Sequence, residues 1–239
     1  MELLAGCVEA AAAPQIGAAA RAVFARAGIE LAATPGVGCC GALAFHLEGR
    51  DKARSLARRN LEAWSAALEA GSEAIIVPSS GCAAFIRDYP DVLRDEPALA
   101  EAARHLAARV RDPVDVLESA EFSASHGPAA PRVAVHDPCT LSHGLGLSGR
   151  HAAFLERLGF SPIRVADAHL CCGSAGAYSL LEPGFARPLR EAKIAALTVE
   201  APAEILTANI GCWLHLSETS PIPVRHWLEA VEEATRVGE

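Results

Sequence analysis

The chain has 239 residues, 51% of them hydrophobic, and 21 Lys and Arg against 29 Asp and Glu give a formal net charge of −8. That length accommodates two modules of ordinary domain size, and the acidic balance argues against nucleic acid, whose phosphates require a basic surface. No run of about 18 uncharged apolar residues offers a membrane-spanning helix.

Taken in order, the expected elements run twice through one series. Apolar runs at residues 1–5 and 132–136 end just before Cys7 and Cys139, which suits buried parallel strands delivering a cysteine at the carboxyl end. Second strands are expected at 29–33 and 162–166, each after an Ala- or Leu-rich helix that stops at Gly28 or Gly159. A long helix follows in each half. In the first, Ala53, Leu56, Ala57, Leu61, Trp64 and Leu68 recur at helical spacing, with Arg54, Arg58, Arg59 and Glu62 off that face. Third strands at 74–77 and 204–207 run into Gly81-Cys82 and Gly211-Cys212, and segments 113–118 and 223–229 read as a fourth strand turning into a closing helix. Extra residues at 87–108 of the first half are expected to form a helix that packs on the partner module.

Strand, helix, strand, helix in sequence means a parallel sheet covered on both sides. The expected fold class is α/β: two tandem homologous three-layer α/β modules with parallel sheets, at 1–122 and 132–239. A Ser-, Gly- and Pro-containing linker at 123–131 joins them.

The eight cysteines carry the strongest signal. Cys7, the adjacent pair Cys39-Cys40 and the lone Cys82 of the first half are answered by Cys139, Cys171-Cys172 and Cys212 of the second. The numbering offset between matched cysteines is 132 for the first three and 130 for the last. Gly38-Cys39-Cys40-Gly41-Ala42 answers Leu170-Cys171-Cys172-Gly173-Ser174, so the local context repeats too, and each copy is expected to be one structural unit. The opening Leu3-Leu4-Ala5-Gly6-Cys7 has the look of a lipoprotein cleavage site, yet no basic residue precedes it, its apolar run is short, and Cys7 belongs to the repeat. With no secretory signal in evidence, the thiols are expected in a reducing, cytoplasmic setting, where cysteine clusters bind metal more often than they form disulfides.

Four thiolates complete a tetrahedral zinc site or supply one ligand to each iron of a 4Fe-4S cluster, and ligand count leaves both open. The paired CxxC knuckles of a zinc ribbon are absent: Ser79-Ser80-Gly81-Cys82 and Asn209-Ile210-Gly211-Cys212 keep only the last cysteine of such a motif. Adjacent cysteines suit a cluster several ångströms across better than a single ion, because consecutive side chains in extended backbone point opposite ways. Gly38, Gly41, Gly173 and Gly176 let the backbone turn and bring amide N–H groups towards a negative cluster.

Cys-x31-Cys-Cys-Gly, repeated, resembles the cysteine-rich CCG domain family, which includes a component of heterodisulfide reductase, lactate-utilization proteins and the iron-sulfur subunit of glycolate oxidase. It is most similar to the last, through Gly38–Ala42 with Phe45-His46-Leu47, Ser80-Gly81-Cys82, His169–Gly176, Thr207–Cys212 with His215, and Val224-Arg225-His226-Trp227. The resemblance implies an electron-transfer subunit that passes electrons from an FAD-containing 2-hydroxy acid dehydrogenase partner towards a quinone or other acceptor, held at the inner face of a membrane through its partners. By the same resemblance Cys7, Cys39, Cys40 and Cys82 hold one 4Fe-4S cluster and Cys139, Cys171, Cys172 and Cys212 a second, with zinc the alternative metal. Ser79 and Asn209 stand where the heterodisulfide reductase type has a fifth cysteine, which puts disulfide chemistry in doubt. The ferredoxin-like region of the glycolate oxidase subunit does not precede this repeat. Either the chain is a fragment or that region is a separate polypeptide, as in the stand-alone lactate-utilization subunit.

Five histidines lie within seven residues of a repeat cysteine: His46, His136, His143, His169 and His215. His136 and His169 are the candidates for a hydrogen bond to sulfur; the others are expected in structural or surface roles. Asp137 and Glu48 are candidate proton carriers, weighed against caps or solvated carboxylates. Trp213 is expected in core packing and the Arg54, Arg58, Arg59 stripe on a solvated helix face. No Ser-His-Asp order, P-loop or GxGxxG fingerprint suggests a hydrolase or a nucleotide site.

Overall fold

The structure is a computed structural model, and it describes residues 1–122 and 131–236. The expected linker at 123–131 falls almost wholly outside the described residues. The chain divides into two units, Met1–Leu117 and Glu118–Glu239. Residues 118–122 attach to the second: the Glu118 carboxylate pairs with Arg150, its carbonyl accepts from Arg157 Nη2 at 2.6 Å, and Phe122 meets Phe154 edge to face.

In the first unit, strands β1 (Glu2–Leu3), β2 (Ile75–Ile76) and β3 (Val110–Arg111) lie parallel in that order, and Ala32 bridges the outer side of β1. The second unit sets β4 (Arg132–His136), β5 (Ser161–Pro162), β6 (Glu204–Thr207) and β7 (Val224–His226) in the order β5-β4-β6-β7, again all parallel. Counting strand segments by their place in each half, both sheets read second, first, third, fourth. The register repeats as well: Leu3 pairs with Ile76 and Val135 with Leu206, at the same offsets as the cysteines. The strands are largely apolar, as parallel sheets covered on both sides require, and the first and third strands of each sheet stop shortly before the segments that carry Cys7, Cys82, Cys139 and Cys212.

Helices α1 (Cys7–Ala12), α2 (Pro14–Arg26), α3 (Ala42–His46), α4 (Arg50–Glu69), α5 (Ser80–Arg87), α6 (Tyr89–Val92), α7 (Ala100–Ala107) and α8 (Pro113–Leu117) complete the first unit. The second adds α9 (Arg150–Arg157), α10 (Tyr178–Leu181), α11 (Pro183–Thr198), α12 (Ile210–Ser217) and α13 (Trp227–Thr235). The long helix expected after each cysteine pair is present as α4 and α11. Helix α4 buries Ala53, Ala57, Asn60, Leu61 and Trp64 and turns its arginines outward. Each large apolar side chain removed from water in this way is worth about 1.5–3 kcal/mol.

Several expectations need correction. Residues 113–118 do not form a strand: Pro113 opens α8 at its first turn, where a missing N–H costs nothing, and Asp112 caps that turn through Oδ1 to Val114 N at 2.9 Å. The strand is β3, just upstream, so the alternating Val114 and Val116 belong to a helix. The matching segment of the second unit has the expected strand and helix, and His226 there forms a capping box with Glu229. The second strands shrink to a single bridge at Ala32 and to Ser161–Pro162. Segment 87–108 is not one helix. It holds α6, α7 and a 3-10 turn, and it lies against α4 of its own unit, where Arg54 pairs with Asp95 at 2.7 Å and Arg58 with Glu96. Two arginines of the expected solvated stripe, Arg54 and Arg58, thus pair with the inserted segment while the stripe stays on the outer face of α4.

Candidate metal centres

Each sheet carries one cysteine beyond the carboxyl end of its first strand and one beyond that of its third. These two strands are neighbours, yet the chain reaches the third only after visiting the far side of the first, and the crevice at such a switch point is where open α/β sheets bind ligands. Cys7 opens α1 and Cys82 lies in the first turn of α5, and in the second unit Cys139 precedes a π-helical turn at Thr140–Leu145 while Cys212 lies in the first turn of α12. The Cys-Cys pairs come in from the loop before α3 and, in the second unit, the loop before α10. Gly41 and Gly173, at φ +96° and +90°, turn the chain immediately after each pair.

The four thiols of each unit converge. Cys7 Sγ and Cys39 Sγ stand 3.2 Å apart, as do Cys40 and Cys82, and Cys39 and Cys40 share a hydrogen bond that closes the set. In the second unit Cys172 and Cys212 stand 3.2 Å apart, Cys139 bonds to Cys171 and Cys171 to Cys172. These separations far exceed the length of about 2.05 Å of a sulfur–sulfur bond, and all eight cysteines are free. Cys40, Cys172 and Cys212 are buried, whereas Cys7 reaches the surface. In the second quartet the proton distribution is uneven. The hydrogen bonds from Cys139 and Cys172, with the Gly173 N–H 3.3 Å from its sulfur, hold the Cys171 thiol far below the usual range. Its bond to Cys171 and burial push Cys139 up correspondingly.

The surroundings of the two quartets differ. In the first, buried Asn60 accepts from Gly38 N at 3.1 Å and donates to Cys39 O at 2.9 Å, while Tyr89 donates to Cys40 O at 2.7 Å. The Glu9 carboxyl is fully buried beside this site, neither oxygen has a hydrogen-bond partner among the described residues, and burial raises its pKa to about 8. In the second, a ring nitrogen of His136 lies within 4.8 Å of both Cys172 Sγ and Cys212 Sγ. His136 is buried, its Nδ1 is 2.9 Å from Thr207 Oγ1, and burial followed by the charge of Lys193 lowers its pKa to about 3. Lys193, also buried, donates to the carbonyls of Asp167 and Ala168 at 3.0 and 3.2 Å, on the loop that leads into Cys171.

The other singled-out residues take varied places. His169 is exposed in the turn before Cys171, and His46 and His143 are exposed too. His215 is buried on α12, its pKa lowered by burial and then by Arg190. Glu48 pairs with Arg50 at 3.1 Å, and Asp137 accepts from Gly149 N at 2.7 Å. Trp213 packs against the core cluster that contains Cys172 and Cys212, with Nε1 donating to Val224 O at 2.8 Å. Lys193 escaped notice in the sequence, although a lysine in phase with Ala186, Ile194 and Leu197 on a core-facing helix was a readable sign.

The chain matches the profile of the cysteine-rich domain, CCG, at residues 1–87 and again at 133–217. It is 42% identical over 234 residues to the glycolate oxidase iron-sulfur subunit of Escherichia coli strain K12, a match that covers 97% of this chain and 57% of that protein. It therefore spans little more than half the length of that relative. Lactate utilization protein A of an Exiguobacterium species is 27% identical over 235 residues, with 93% of each chain covered. A hypothetical protein from Helicobacter pylori has the same fold at a TM-score of 0.66, with 10% identity, over 100% of this chain and 49% of that one. With the family profile recurring on each of two sheets, and a thiol quartet at the rim of each, the chain belongs to the cysteine-rich CCG domain family as a tandem pair of its domains.

Proposed function

We propose that this chain is the cluster-bearing part of an iron-sulfur electron-transfer subunit that serves a flavin-dependent 2-hydroxy acid dehydrogenase, with glycolate the substrate oxidised by the partner. The observation that carries the reading is the convergence of four free thiols, twice over, on the switch-point crevice of a sheet. The 42% identity to a glycolate oxidase iron-sulfur subunit supplies the partner class.

The donor set fits such a group. Thiolates are the ligands that iron-sulfur clusters require, and quartets of free sulfurs in partly buried pockets supply four each. Cys7, Cys39, Cys40 and Cys82 would hold one 4Fe-4S cluster and Cys139, Cys171, Cys172 and Cys212 the other. When bound, each supplies one-electron redox chemistry. The protein's own part is to bind and tune. The Gly173 N–H is placed to donate to Cys171 sulfur, Trp213 and the apolar cluster around Cys172 and Cys212 exclude water, and the hydroxy acid is oxidised elsewhere. The expected partners are the FAD-containing subunit and a ferredoxin-like iron-sulfur region, with a quinone as final acceptor. No helix among the described residues is long and apolar enough to cross a membrane.

Anaerobic purification followed by iron and acid-labile sulfide analysis tests this. The expected result is a brown protein with about four irons and four sulfides per module. Cys172→Ala and Cys40→Ala are each expected to lose about half of both. A colourless protein with stoichiometric zinc and no sulfide would refute the reading.

A further inference from the structure

Sheet register fixes which residues of the two units correspond. One step beyond the pairs Leu3–Ile76 and Val135–Leu206 lie Leu4 and Val77 in the first unit and His136 and Thr207 in the second. The buried faces of the long helices correspond as well. Ala53, Ala57, Asn60, Leu61 and Trp64 of α4 match Ala186, Arg190, Lys193, Ile194 and Leu197 of α11, all at one constant offset. An independent contact supports this alignment: a Cβ at Gly41 would meet the Ala53 carbonyl, and one at Gly173 the Ala186 carbonyl.

Four of the matched positions differ in polarity, always in one direction, and two of these differ in charge. Behind the first quartet stand Leu4, Val77, Ala57 and the neutral amide of Asn60. Behind the second stand His136, Thr207, Arg190 and the ammonium of Lys193. Lys193 is buried, and its charge is felt by Cys172, Cys171 and Cys212. Its other electrostatic neighbours include His136, whose pKa it lowers, and Asp167, which offsets part of that charge, and Arg190 is paired with Glu218. Asp137, two residues before Cys139, is partly exposed and bound to the Gly149 amide. On the first side Arg59 lies over Gly38, but it is exposed and water screens it, whereas Glu9 adds a buried carboxyl.

Taking up an electron makes a thiolate-ligated site more negative, and a cation in a low-dielectric pocket stabilises that state most. We propose that Lys193, with His136 behind Cys172 and Cys212, makes the second sulfur site the more easily reduced of the two, so that an electron delivered to this chain comes to rest there. This rests on the iron-sulfur reading above. One electron leaves the donor, a reduced flavin in the complex or dithionite in a titration, and the second site gains it. No covalent bond forms or breaks.

An EPR-monitored redox titration of the anaerobic, cluster-loaded full chain tests the proposal, with Cys82→Ala and Cys212→Ala assigning the signals to the two sites. The expected wild-type result is two waves, the second site's reduced-to-oxidised ratio exceeding the first's by at least tenfold at a given potential, about 59 mV for a one-electron couple. Lys193→Asn, which installs the first unit's own residue, should lower the second site's ratio about tenfold and leave the first unchanged. Lys193→Arg should preserve the gap. Should Lys193→Asn fail to load cluster, the double change His136→Leu with Thr207→Val is expected to move the second wave the same way, and the wild-type order is itself decisive. Coincident waves, a reversed order, or a Lys193→Asn protein that titrates like wild type would overturn the proposal. Absence of any cluster signal from wild type would remove the iron-sulfur reading first and this inference with it.

Discussion

Replacing Gly173 by alanine tests whether the turn after the second cysteine pair is as tight as the packing implies. The residue sits at φ +90°, and an added Cβ would stand 2.7 Å from the Ala186 carbonyl oxygen and 3.0 Å from Leu189 Cβ. The left-handed conformation costs an L-residue about 1–2 kcal/mol. The overlap is with helix backbone, which cannot rotate aside, so α11 must withdraw, and overpacking of that kind costs about 1–3 kcal/mol more. Gly41 is the built-in control. Its φ of +96° exacts the same conformational penalty, but its Cβ would be 3.3 Å from the Ala53 carbonyl oxygen, a contact a few tenths of an ångström can relieve. Gly173→Ala should therefore lose about 2–5 kcal/mol and Gly41→Ala about 1–2 kcal/mol. At a urea slope of about 2 kcal/mol/M, a loss of about 3 kcal/mol moves the unfolding midpoint by about 1.5 M. Urea titrations of the full-length variants, followed by tryptophan fluorescence, read this directly. A Gly173→Ala midpoint equal to wild type, or a larger loss at Gly41, would show that the loop and helix are not in the contact on which the calculation rests.

Other outcomes follow from the same packing. His136 is neutral in the fold, its pKa lowered from 6.5 to about 3, so above pH 6.5 folded and unfolded chains bind the same protons there. Below pH 6.5 only the unfolded chain takes one up, so His136 by itself contributes to the metal-free protein a loss of about 1.4 kcal/mol per pH unit, about 2 kcal/mol by pH 5. Buried Glu9, whose pKa is raised to about 8, contributes in the opposite sense, so the His136 part is read as the difference in pH dependence between wild type and His136→Leu with Thr207→Val in urea titrations at pH 5 and 7. Trp64 is fully buried and its indole N–H has no partner among the described residues. Trp64→Ala should thus cost about 3–5 kcal/mol by thermal or urea unfolding, whereas Trp64→Phe, which leaves no polar group stranded, should cost far less. Asn209 caps α12 by accepting from Gly211 N at 2.9 Å, and Asn209→Ala should lose about 1 kcal/mol in the same measurement.

How much could be read in advance depended on the kind of signal. Cysteine spacing, the paired glycines and the 3.6-residue apolar rhythm of α4 are local patterns that survive in any single sequence, and they placed both quartets at the rims of parallel sheets. The strand expected at 113–118 failed because Asp112-Pro113 is a helix start whose apolar residues happen to alternate, and only the cap geometry separates the two readings. The arginine stripe could not be assigned because its partners, Asp95 and Glu96, lie far along the chain in the inserted segment. What distinguishes the two centres was the least legible feature. The repeat offset drifts from 132 at the cysteine pairs to 133 along the long helices and down to 130 at the last cysteine, so neither offset read from the cysteines aligns Lys193 with Asn60. A duplicated motif advertises what its two copies share, namely the thiols. The residues that would set the copies apart in charge sit on the strand and helix behind them, and pairing register is what brings each into correspondence with its twin.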